Sequence, residues 1–105
     1  MQLLVDTSRT MFTVTRTAVE KQDQNGRQKT DRNTSEPLWV VQVMALDERG
    51  GEMLNVTVAG VPPKVTVGQP VALVDLEAIP WATNGKNGVA FRAKSITPVS
   101  APKAA

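Results

Sequence analysis

The chain of 105 residues has no cysteine and no histidine. Without cysteine there are no disulfide staples and no thiolate metal sites. Without histidine the commonest general base and metal ligand is missing, and Ser–His and Cys–His catalysis goes with it. Tyrosine is absent too, so two Trp and two Phe are all the aromatic surface the chain can offer. No apolar run reaches the roughly 18 residues of a membrane helix. The start Met1-Gln-Leu-Leu-Val-Asp6 lacks the basic head and long apolar core of a signal peptide, so a cytoplasmic protein is expected. No stretch reads as a helix; Lys64–Val67 is too short and too β-branched.

What is present is Val, Thr and turn residues, the composition of a small β-domain with one modest core. Met11–Val19 alternates, with Phe12 and Val14 on one face and Thr13, Thr15 and Thr17 on the other. The alternation breaks at Arg16 and Ala18, where a bulge is expected. Glu20–Pro37 is polar throughout and predicts a long loop with Asn25-Gly26 at its turn. Leu38–Leu46 is apolar on both faces: Trp39, Val41, Val43 and Ala45 against Leu38, Val40, Gln42, Met44 and Leu46. One face lines a core, and the other is covered by a partner or a second copy. After a turn at 47–52, Met53–Ala59 returns with Leu54, Val56 and Val58 inside and Asn55 and Thr57 outside.

The stretch 67–96 organises the rest. A strand entered at Gly68-Gln-Pro70 runs to Ile79, a loop from Pro80 to Gly88 carries Trp81 and Lys86, and a strand returns to Ile96. Pro70 has no N–H for a ladder, so it opens the strand. Asn-Gly occurs twice in the loop and supplies the positive φ angles of tight turns. Residues 98–105 read as a flexible tail after a domain at 1–97.

Five strands in this order predict an all-β, five-stranded OB-fold-like Greek-key barrel, with a long polar loop between strands 1 and 2. An SH3-like barrel and an open β-sandwich are the alternatives.

Charge is uneven. Residues 1–36 carry six bases and five acids, 37–77 two bases and five acids, and 78–105 four bases and no acid. A mild net charge of +2 thus hides a basic end. Basic residues interleaved with aromatics suit nucleic-acid phosphates and bases. The candidate binding residues are Arg27, Lys29 and Arg32 in the first loop, Lys86 in the last, and Arg92 and Lys94 on the final strand. Trp39 and Trp81 are the candidate stacking platforms. Trp39 reads more readily as core on burial statistics, and Trp81 serves either packing or contact. Asp75 and Glu77, two apart on one strand, could face a cation, but no nucleophile or base accompanies them. No catalysis and no cofactor is expected.

The run Gly68-Gln-Pro-Val-Ala-Leu-Val-Asp-Leu76, with Trp81, Gly85-Lys-Asn-Gly88 and Phe91-Arg-Ala-Lys-Ser-Ile96, resembles the C-terminal half of single-stranded-DNA-binding proteins. With Val56-Thr-Val-Ala-Gly-Val-Pro-Pro63 and Ile79-Pro-Trp81, the chain also resembles small OB-like regulatory or replication-associated proteins of actinobacterial plasmids and integrative conjugative elements. The resemblance covers about half the chain. It implies a non-catalytic protein that binds single-stranded DNA or RNA, serves replication or transfer of a mobile element, and partners itself or a replication or transfer protein. Two other readings stand beside it: a protein-interaction adaptor using the apolar face of strand 2, and a regulator of duplex DNA. The last lacks a helix-turn-helix to enter a major groove.

Overall fold

The computed structural model describes residues 2–99. They form eight strands and no helix: β1 (Leu3–Leu4), β2 (Met11–Glu20), β3 (Leu38–Asp47), β4 (Gly50–Ala59), β5 (Pro70–Val74), β6 (Glu77–Thr83), β7 (Lys86–Arg92) and β8 (Ser95–Pro98). All eight join one curled sheet, a half-barrel, in the order β1-β6-β7-β4-β3-β2-β5-β8. No helix here is long and apolar enough to cross a membrane.

The period-two pattern builds the core as expected. Val14 on β2, Val41 and Val43 on β3 and Val56 on β4 are fully buried, with Phe12, Val71, Leu73, Leu76 and Ile96 packed around them. The expected irregularity in β2 is present. Register against β3 shifts between Val14 and Arg16 and again between Arg16 and Val19, so the strand bends as it crosses the sheet. Each shift spends an extra residue on β2, and before the first shift β2 also pairs with β5 at Phe12 and Thr13.

The expected five strands become eight because the last hairpin is bent, which splits two of them, and because β1 adds a short strand. Asp75 adopts a positive φ of 51°, which interrupts the first strand between Val74 and Glu77. Ala93 and Lys94 interrupt the second. Register is continuous across the break: Val74 faces Ser95, and Glu77 faces Arg92 three residues further along each strand. Leu76 and Ala93 turn into the core at the corner. The Lys94 N–H donates to Val74 O at 2.9 Å, and the Ala93 N–H donates to Thr57 O at 3.0 Å. β5 and β8 lie at one end of the sheet order, while β7 joins β4 in parallel, Val56 facing Phe91 and Thr57 facing Arg92.

Beyond Ala78 the β6–β7 pair has no further neighbour on either side among the described strands. It forms a two-stranded arm. The loop expected over Pro80–Gly88 is therefore strand, apart from a two-residue turn. Asn84 and Gly85, at φ 52° and 77°, make that turn, the geometry a two-residue hairpin favours. The second Asn-Gly, Asn87-Gly88, lies within β7. Pro80 is tolerated because β6 is an edge there.

Residues 21–37 connect β2 and β3 and are internally braced. The Asp23 carboxylate accepts the N–H of Asn25 and of Arg27. Asp31 is buried within this polar stretch. The Lys29 N–H donates to Lys21 O, and the Leu38 N–H to Lys29 O, which carries strand-like pairing out from the barrel. At the other terminus, β8 runs through Pro98 and the Val99 N–H donates to Pro70 O. The rest of the expected tail, 100–105, lies outside the described residues.

Candidate functional site

Cross-strand pairing sets one row of outward side chains across five strands. Val19 faces Val40, Val40 faces Thr57, Thr57 faces Arg92, and Arg92 faces Glu77. Period two then puts Asn55 and Gln42 on the same face one step away, and Ile79, Trp81, Gly88 and Ala90 on the same face of the arm. A groove of about 480 Å³ runs over this surface. Val40, Asn55 and Thr57 form its floor. Trp81 and Ala90 stand on the arm side, and Arg16, Val19 and Lys21 on the other.

The floor is polar and ordered. Thr15 Oγ1 donates to Gln42 Oε1 at 3.1 Å, and Gln42 Nε2 donates to Asn55 Oδ1 at 3.4 Å. Lys21 Nζ donates to Thr57 Oγ1 at 3.0 Å. That bond explains why Thr57, expected to face solvent, is buried: the lysine lies over it. Burial pushes the Lys21 ammonium below its usual range, and the charges of Lys29 and Arg92 push the same way.

Trp81 is 45% exposed. Its indole lies over Gly88 directly across the hairpin, so close that a Cβ built on Gly88 would fall 2.7 Å from Cζ2. The ring covers the glycine, and nearly half of the residue's surface stays open to solvent. An aromatic laid over a cross-strand glycine is a recognised way to stiffen an exposed hairpin.

Arg92 is bonded to the Asp31 carboxylate. That hydrogen bond, helped by the N–H of Asn33 and of Thr34, holds the Asp31 carboxyl below its usual range against the opposing effect of burial. The pair ties the 21–37 connection to β7.

The structure brings some sequence candidates together and separates others. Trp81 lines the groove, and Lys86 sits exposed at the tip of the same arm. Arg92 lies in the same row but is engaged by Asp31. Lys29 is exposed beside Lys21, with its charge felt there. Arg27 and Arg32 are exposed on the connection and do not line the groove. Lys94 is exposed at the hairpin corner, also outside the lining. Trp39 belongs to the inward row with Val41 and Val43, and its Nε1 donates to Gly60 O at 2.7 Å. Asp75 and Glu77 do not share a strand, because the positive φ at Asp75 puts a corner between them.

Sequence reasoning missed Lys21. It follows directly on β2 in a polar stretch and looks like any solvated lysine. Only the register that places Thr57 beneath it distinguishes it, and that register depends on the two bulges of β2.

Comparison with protein-family models, with curated proteins and with solved structures finds no match. The functional reading therefore stands on the groove itself. It offers an indole face on one side, an ammonium and a guanidinium on the other, and amides between. These groups stack on planar rings and pair with anions.

Proposed function

We propose that this chain is a non-catalytic single-stranded nucleic-acid-binding protein of OB type, acting as an accessory in replication or transfer of a mobile element. The carrying observation is a groove with a half-exposed tryptophan opposite cationic side chains. Base stacking needs the first and backbone phosphates the second. Strand pairing supports the fold name. With β5–β6 counted as one bent strand and β7–β8 as another, eight strands become six, five of them besides the two-residue β1. Pairings then run from β2 to β3, to β4, in parallel to β7–β8, to β5–β6 and back to β2. The face of strands 2 and 3 and the loops flanking it are where OB folds take oligonucleotides. Here those flanks are the 21–37 connection and the β6–β7 arm. The mobile-element setting rests on the sequence resemblance alone.

A titration of labelled oligonucleotide, single-stranded and then duplex, at two salt concentrations tests the reading. Sequence-tolerant binding with single-strand preference is expected. Lys86→Ala should weaken all sequences alike and lower the log-log salt slope by about 0.7. Trp81→Ala should weaken binding with the slope unchanged, because stacking releases no counterions.

One observation favours a second reading. The far end of the same sheet face is apolar: Met11 faces Leu46 and Met44 faces Met53, with Met11, Leu46 and Met53 exposed. An adaptor or self-associating protein would use that patch. If the parent binds no oligonucleotide at low salt, this reading replaces the first.

A further inference from the structure

Lys21 is a half-buried cation without a counter-charge. Among the described residues its ammonium makes no ion pair. The groups around it are mostly of its own sign. Lys29 lies on the connection, Arg92 on β7 and Arg16 on β2. Glu20 also lines the groove but is exposed, and the nearby Asp31 carboxylate is taken by Arg92. A lysine serving only to cover apolar surface sends its nitrogen out to water. Lys21 instead turns its nitrogen inward to Thr57 Oγ1 on the groove floor. An ammonium has three donors, and Thr57 takes one. Desolvating a cation beside other cations costs stability, and functional sites are where such costs persist. An anion entering the groove would relieve all of them at once.

We infer that Lys21 and Thr57 form the seat for one backbone phosphate of the strand in the groove, Lys21 donating to a phosphodiester oxygen while Thr57 fixes the ammonium. This rests on the nucleic-acid reading of the groove. Arg92, by contrast, is a positioning residue, because its charge is already paired with the Asp31 carboxylate. The phosphate path then passes the connection side of the groove at Lys21 while a base meets the Trp81 indole on the arm side.

Lys21→Gln removes the charge and keeps a hydrogen-bonding side chain for Thr57. It should stay folded, melting at or above the parent temperature, since a desolvated charge is gone. Oligonucleotide binding should fall roughly tenfold, the lower range for a charge-assisted bond, and the salt slope should drop by about 0.7. Lys21→Arg should keep the parent slope. Parent affinity and slope in Lys21→Gln overturn the seat while leaving the groove reading intact. A parent that binds no oligonucleotide overturns both. Inorganic phosphate at matched ionic strength separates the sources. If it raises the melting temperature of a parent that ignores oligonucleotide, the seat belongs to free phosphate and the inference fails.

Discussion

Gly88→Ala tests the stacking platform without removing the tryptophan. A Cβ at Gly88 would stand 2.7 Å from Trp81 Cζ2, 2.9 Å from Cε2 and 3.2 Å from Nε1, where ordinary contact begins at 3.4 Å. The indole must rise by about 0.7 Å and tilt, and a displacement of that size already forfeits a quarter to a half of a contact's attraction. The ring is the far end of an exposed side chain, so it can yield where backbone could not. Gly88 does not have a positive φ, so alanine meets no backbone strain there. The lost cross-strand contact, about 0.2–1 kcal/mol, is offset by about 0.4–1 kcal/mol from restricting the unfolded chain. Stability should therefore hold within about 1 kcal/mol, a melting shift of less than about 8 °C. Binding should not hold. A base stack is worth roughly 1–3 kcal/mol, and a tilted platform should forfeit enough of it to weaken a single strand about fivefold at unchanged salt slope. Tryptophan emission reads the ring directly. Trp39, bonded to Gly60, supplies a constant background, while the Trp81 component should shift toward the red. A variant with parent emission and parent affinity would refute the placement of the indole over Gly88.

Two further predictions concern the frame that holds the groove. Val41→Ala removes two methyl groups from a fully buried position between β2 and β4. It should cost about 2 kcal/mol and lower the melting temperature by roughly 10 °C, read by thermal denaturation followed in circular dichroism. Asp31 contributes through a depressed carboxyl pKa, so its contribution is complete above the unfolded value near ~3.9 and is lost as pH falls through the folded value. Protection of the Asn33 and Thr34 amides from hydrogen exchange should thus persist at pH 5 and fail only in stronger acid, and Asp31→Asn should reproduce the loss at pH 7. Protection unchanged in Asp31→Asn would mean that the Arg92 pair does not hold the connection.

The fold was legible where burial alone decides it. Phe12, Val14, Val56 and Val58 are inside because alternation gives them a single apolar face, whereas β3 is apolar on both faces and only the fold puts Val41 and Val43 inside. The bulges of β2 were visible as breaks in that alternation. Asp75 was not, because Asp is enriched at positive φ relative to most residues yet adopts it at only a minority of its positions. The length of the arm was hidden for a different reason. Pro80 and two Asn-Gly pairs read as punctuation, yet one pair lies in a strand that has only its hairpin partner there. Of the candidate site, Trp81 was legible as an aromatic beside turn residues. The commitment of Arg92 to Asp31, and of Lys21 to Thr57, joins residues 61 and 36 positions apart, which local pattern cannot report.

The unbroken register through the bent hairpin makes the arm an adjustable part. Its outer rungs touch no other described strand, so rungs can be added or removed there without moving a core residue. Two residues inserted on each side of Asn84-Gly85 would extend its reach by about 7 Å and leave Trp81 facing the groove. A single residue inserted on each side between the corner and Trp81 would turn the indole to the opposite face. Arm length can thus vary between related chains while the half-barrel stays the same, and insertions tolerated between the corner and Trp81 should come in even numbers per strand.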